Sequence, residues 1–205
     1  TPDQSSAASD VYKRQDPYDT KMAKKLMADA GYPDGFKMTI HGPNDRYIND
    51  AKIAEALAQM LNRVGIEASV ETMPKAVYFK RASRGGPNKS PEFSFMLLGW
   101  GAGSGEASSP LKALLHTYDK SKGLGAANRG RHSDAEVDKL VQKALATVDA
   151  DARGALLAKA TERAVGVNYG VIPMHYQVNT WAAKKGYSYL PRTDERTIVT
   201  GLSGS

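Results

Sequence analysis

The chain contains no cysteine among its 205 residues, so neither a disulfide nor a thiolate metal site helps to hold it together. That absence fits the cytoplasm and the bacterial periplasm equally. Long hydrophobic runs are missing as well: no stretch approaches the ~18 apolar residues a membrane span requires, and no charged-then-apolar signal sequence opens the chain. Histidines at 41, 116, 132 and 175 make no His-x-His or His-Glu-x-x-His spacing, which leaves a helix-borne zinc site without support. Basic residues outnumber acidic ones by 28 to 22, yet no run exceeds Lys24-Lys25 or Lys184-Lys185, and no basic patch carries interleaved aromatics. The net charge of +6 is scattered, so nucleic acid is not an expected partner.

Catalytic signatures are equally scarce. Gly101-Ala102-Gly103-Ser104-Gly105 invites comparison with nucleotide loops, but Glu106 stands where the last glycine of G-x-G-x-x-G belongs. Gly85-Gly86-Pro87-Asn88-Lys89-Ser90 ends like a P-loop but lacks the glycine before lysine, and Pro87 removes an N–H that would cradle phosphate. Ser104 lies in no G-x-S-x-G elbow. The paired carboxylates Asp149/Asp151 and Asp194/Glu195 fall on expected helix ends or loops, where solvation accounts for them. No convergent acid, base and nucleophile emerges, so neither an enzyme nor a cofactor is expected.

What is present is an alternation of periods. Thr1 to Gln15 is polar and aperiodic and reads as a non-native or disordered leader. A helix is expected over Asp19–Ala30, with Met22, Leu26, Met27 and Ala30 on one face and Gly31 as its stop. Phe36, Met38 and Ile40 then alternate as a strand. Asn49 or Asp50 caps the next helix, which carries Ile53, Leu57, Met60, Leu61 and Val64 at helical spacing, and Ile66, Ala68 and Val70 form a second strand. Strand, helix, strand with a short crossover is a βαβ unit, so the two strands are expected to be parallel. Pro74 opens a short helix, and Phe93 to Leu98 is an apolar run read as a strand buried on both faces. It ends in Gly99-Trp100-Gly101-Ala102-Gly103-Ser104-Gly105-Glu106, a loop stripped of side chains where something must come near. Further on come a short helix at Leu111–His116, a capping box at Ser133-Asp134-Ala135-Glu136, a helix over Asp151–Val165 and a strand at Val171–Tyr176 limited by Pro173. The expected class is α/β, with a mixed, partly parallel sheet flanked by helices.

In this order the pieces resemble the C-terminal lobe of the family 5 extracellular solute-binding proteins, the peptide/nickel receptors of ABC importers. The resemblance runs from Asp16 to Thr197. It rests on Lys25-Leu26-Met27-Ala28-Asp29-Ala30-Gly31-Tyr32-Pro33-Asp34-Gly35-Phe36, on Ile53 to Val64 joined to Gly65-Ile66-Glu67-Ala68-Ser69-Val70, and on Phe95-Met96-Leu97-Leu98-Gly99-Trp100. Asn128 to Leu140 and Val171-Ile172-Pro173-Met174-His175 complete it. The resemblance implies one lobe of a two-lobed periplasmic-binding-protein fold that closes around a small-molecule or peptide solute and presents it to an ABC permease. The expected location is periplasmic or extracellular, with membrane association only through the transporter. It also implies a missing N-terminal lobe, a solute-binding lobe over residues 16–181 and a segment 182–205 that returns toward the absent lobe and packs poorly here.

Peptide-binding members carry an acid three residues after the Trp, paired with the peptide's α-ammonium. Here that position is Gly103. The ligand-binding set expected from the resemblance is Trp100, Gly101, Ala102, Gly103, Ser104 and Glu106, joined by Asn44, Arg46 and Tyr47 from the loop after the first strand. Glu106 is a cation partner or else a solvated, helix-capping acid. A stand-alone α/β enzyme and a regulatory ligand-binding domain with a cleft at the same strand ends are the alternatives.

Overall fold

The computed structural model describes residues 17–102, 105–192 and 196–204, and the chain divides into two units at Ile172/Pro173. In the first unit, helix α1 (Thr20–Asp29) starts where Asp19 accepts the N–H groups of Lys21 and Met22, each at 2.9 Å. It buries no residue, and its apolar stripe is uncovered, with Met22 49 % and Leu26 59 % exposed.

Strands β1 (Lys37–Pro43) and β2 (Glu67–Met73) are parallel, in register from Lys37↔Glu67 to Pro43↔Met73, with helix α2 (Asp50–Arg63) as the crossover. Helix α3 (Lys75–Arg84) follows β2 directly. Because side chains alternate along a strand, the layer has two apolar faces. Ile40, Ala68 and Val70 pack with Ala54, Leu57, Ala58 and Leu61 of α2, while Met73 packs with Tyr78, Phe79 and Ala82 of α3.

The Phe93–Leu98 run lies beside β1 and parallel to it, but it is not the regular third strand that its composition suggests. Among the described residues it joins the sheet by the single bridge His41↔Met96, with His41 N–H donating to the Phe95 carbonyl at 3.1 Å and Leu97 N–H to that of His41 at 2.8 Å. The reason is a slip of phase. Phe93 and Met96 both join the α3 face, whereas Phe95 joins the α2 face, and a strict period of two cannot place residues 93 and 96 on one side. The bend at Ser94-Phe95 absorbs the difference and interrupts the ladder. Val171–Tyr176, also read as a strand, is irregular, and Pro173 has no N–H to give a ladder.

A helical layer completes this unit. Helix α4 (Ser108–Pro110) runs into a wide turn over Leu111–Leu115, and α5 (Ala135–Leu145) and α6 (Ala150–Thr161) follow. Leu111, Leu115, Val137, Val141, Ala144, Leu157, Ala160 and Ala164 form their shared core. The cap of α5 falls one residue later than the capping-box pattern indicates: Asp134, not Ser133, accepts the Glu136 and Val137 N–H groups, each at 2.9 Å. Ser133 instead bonds Thr117 through their hydroxyls.

Asp134 also receives Arg163 and Asn168, at 2.8 Å for each closest contact. Arg163, then the Val137 N–H and Asn168, hold its carboxyl well below the ordinary 3.8. A depressed carboxyl stabilises the fold fully above its unfolded value and loses that contribution as pH falls toward the folded one. Asp134→Asn is therefore expected to be less stable at neutral pH and to lose less melting temperature than the parent below about pH 4. Parallel melting curves across that range would refute the assignment.

The second unit, residues 173–204, contains the antiparallel pair β3 (Tyr187–Tyr189) and β4 (Leu202–Gly204). Trp181 Nε1 donates to the Thr197 hydroxyl at 2.9 Å and its ring lies against Tyr189. Most of its side chains are exposed, with Val178 and Val199 among them.

Candidate functional site at the strand ends

Three parallel segments deliver their carboxyl ends to one side of the layer, which is where open α/β sheets take ligands. The loop after β1 is built by Asp50. Asn49 occupies the N-cap position in a left-handed conformation without capping through its side chain. The Asp50 carboxylate turns back instead and accepts the N–H groups of Arg46 at 2.9 Å and Tyr47 at 3.0 Å. Asn44 N–H extends the sheet by donating to the Met73 carbonyl at 3.1 Å. The neighbouring Asp45 takes the Lys75 N–H at the start of α3, at 2.6 Å.

These contacts bring two of the expected segments together. Tyr47 donates its hydroxyl to the Gly99 carbonyl at 3.3 Å. A Cβ at residue 99 would lie 2.6 Å from the Tyr47 ring, so a side chain there would push the ring out of this contact. Arg46 stacks over the same ring, 5.0 Å from its centroid, and makes no ion pair among the described residues. Trp100 is 44 % exposed. Gly101 and Ala102 are exposed beside it, and a Cβ on Gly101 would meet nothing within 4 Å. Gly103 and Ser104 lie outside the described residues.

Glu106 is placed differently from a free cation partner. It accepts the Ser108 hydroxyl at 2.7 Å and Arg153 Nε at 3.0 Å. The Ser108 hydroxyl, with Arg153, holds its carboxyl below the ordinary 4.5. The acid thus ties the glycine loop to α6. Asn128, Arg129 and Arg131, conspicuous as polar residues in sequence, serve structure: Asn128 is buried, Arg129 bonds Ser83, and Arg131 lies over Tyr118.

Sequence reasoning missed the residues beneath the loop. Tyr78 is fully buried, yet donates its hydroxyl to the Leu97 carbonyl at 2.6 Å. Burial raises its phenol above the ordinary 10, so it remains a donor. Arg81 pairs with both Glu71 and Glu92, and His41 stacks on Phe93 with ring centroids 4.0 Å apart. Helical spacing marks Tyr78 and Arg81 only as one side of a helix; nothing local announces their partners. A groove of about 750 Å³ lies elsewhere, along the first half of β1, lined by Phe36, Thr39, Leu61, Ile66 and Phe95 among others.

Paired loops at the ends of parallel strands, with a half-exposed Trp directly after Gly99, place the chain in the α/β class, with its candidate site at the strand ends. The sequence model described as "Bacterial extracellular solute-binding proteins, family 5 Middle" matches residues 1–122. Heme-binding protein A of Haemophilus influenzae is 29 % identical over 150 residues, 70 % of this chain and 25 % of that protein. Glutathione-binding protein GsiB of Escherichia coli K12 is 31 % identical over 135 residues, 65 % of this chain and 25 % of its own. Among solved structures, the periplasmic binding protein DppA of Helicobacter pylori, in complex with the peptide STSA, superposes with a TM-score of 0.60 at 30 % identity. That superposition covers 71 % of this chain and 26 % of DppA. The chain belongs to family 5 of the bacterial extracellular solute-binding proteins, and it spans about a quarter of the length of the curated relatives it matches.

Proposed function

We propose that this chain is a solute-gripping lobe of an ABC importer receptor on the outer side of the membrane, and that its solute is a peptide or a peptide-like molecule. The observation that carries the reading is the Tyr47–Gly99 contact, which joins the two strand-end loops immediately before Trp100. Family membership supports a receptor role, and relatives named for glutathione and crystallised with a peptide support the solute class. In this reading Trp100 packs against the solute, the N–H groups of Gly101 and Ala102 offer hydrogen bonds while that of Gly105 is held by the Ala102 carbonyl at 2.9 Å, and Arg46 faces an anionic group such as a terminal carboxylate. The partner is the permease that receives the solute from the whole receptor.

The ammonium contact of peptide-binding relatives is not part of this proposal, because Gly103 replaces the acid and Glu106 is already engaged by Arg153. Where such a charge pair exists, breaking it costs ~2–5 kcal/mol, or roughly 30-fold and more in affinity. Calorimetric titration of the chain with Ala-Phe-Ala and with its N-acetyl form is expected to give affinities within ~3-fold of each other. A large preference for the free amine would defeat the loss of ammonium recognition. Heat from neither peptide would defeat the peptide reading.

A further inference from the structure

The segment that carries Trp100 is poorly secured by the sheet itself. Among the described residues, one bridge at His41 is its ladder, and that bridge ends three residues before Gly99-Trp100. Side chains supply the remaining anchors, and they converge from one helix. Tyr78 of α3 takes the Leu97 carbonyl at 2.6 Å. One turn later, Arg81 takes Glu92 at the segment's beginning, with Nε 3.0 Å from each carboxylate oxygen, and its guanidinium lies over the Phe93 ring at 5.1 Å. Residues three apart on a helix share a face, so α3 grips the segment at both ends with one side.

Helix α3 is itself held by the other loop of the site, through Asp45 and the Lys75 N–H at 2.6 Å. Two residues beyond Asp45, Tyr47 closes the circuit on the Gly99 carbonyl. The loop after β1, helix α3 and the Trp100 segment therefore form a closed ring of contacts in which each member fixes the next.

We propose that α3 is the positioning element of the solute-contacting loop, and that Tyr78 is a positioning residue whose hydroxyl sets the direction in which Trp100 leaves the sheet. The consequence for binding rests on the proposed function; the mechanical role does not, so the two can fail separately. In the merely structural alternative, Tyr78 fills the α3 core and its hydroxyl has no bearing on Trp100.

The test uses Trp181→Phe as parent, which leaves Trp100 as the only one of the chain's 2 tryptophans. Into it are placed Tyr78→Phe, which removes only the hydroxyl, and separately Val141→Ala, which opens a cavity in the α4–α6 core. Acrylamide quenching and fluorescence anisotropy of Trp100 are read well below the melting temperature. Tyr78→Phe is expected to raise both quenching and local mobility, while Val141→Ala leaves both at parent values even where it lowers the melting temperature as much. A Tyr78→Phe protein that is less stable but has an unchanged Trp100 signal would overturn the proposal. With Ala-Phe-Ala as probe, Tyr78→Phe should weaken affinity by ~2–10-fold, the equivalent of one neutral hydrogen bond. Unchanged affinity there would overturn the link to binding. Absence of binding in the parent would count against the proposed function alone, since the fluorescence comparison still decides the mechanical role.

Discussion

Replacing Asn128 by alanine is expected to remove a large part of the first unit's stability, about 3–6 kcal/mol in a urea titration. The residue is only 2 % exposed, yet it satisfies three backbone groups at once. Its amide donates to the carbonyls of His116 at 2.9 Å and His132 at 2.7 Å, and its oxygen accepts the His132 N–H at 2.9 Å. Alanine leaves all three without that partner, the His116 carbonyl in a buried position and the two His132 groups in part-buried ones. Each such group costs about 1–3 kcal/mol, toward the lower end where water can reach. Against a typical total of about 5–15 kcal/mol, the loss would bring the unit near its threshold. Asn128→Asp should do no better, because a carboxylate cannot donate to two carbonyls. A loss below about 1 kcal/mol would show that those groups find other partners.

The second large effect is expected at Gly35. Its φ of +77° is unfavourable for an L side chain, and a Cβ there would collide with the Gly65 carbonyl oxygen. That contact cannot relax cheaply, since it lies beside the first bond of the β1–β2 pair, from Glu67 N–H to the Phe36 carbonyl at 2.8 Å. Gly31 provides the control: its φ is +89°, but a Cβ would meet nothing within 4 Å. Gly31→Ala should therefore cost only the conformational part, roughly 1–2 kcal/mol. Gly35→Ala should cost at least about twice that and disturb the start of both strands. Equal losses in the two variants would mean that the chain around Gly65 moves aside freely.

The βαβ unit was legible because its signals are local and agree. Met38 and Ile40 alternate, Ile53, Leu57 and Leu61 keep helical spacing, and Asp19 and Gly31 mark the ends of α1. The Phe93–Leu98 run was misread as a regular strand because composition reports burial on two faces without reporting phase. Ser133 and Asp134 are both good caps, and the long-range partners Arg163 and Asn168 favour the second. The candidate site was partly legible. Its glycine loop and Trp100 stand out in the sequence, but the contact between Tyr47 and Gly99 spans 52 positions and the Glu106–Arg153 pair spans 47. Pairings of that range leave no local trace, so the acid that could have been offered to a solute could not be recognised in advance as one already bound.

The single bridge between His41 and Met96 also orders events in time. Pairing β1 with β2 closes a shorter stretch of chain than pairing β1 with the Trp100 segment, and the longer closure loses more chain entropy while gaining less ladder. The βαβ unit is thus expected to assemble first and the Trp100 segment to dock afterwards, and on partial opening the same segment should detach from the β1–β2 pair before that pair separates. A population that is folded by every global measure would then include molecules whose proposed solute loop is undocked. The measured affinity would carry the docking equilibrium within it, and a substitution remote from any solute could tighten binding simply by keeping the last piece in place.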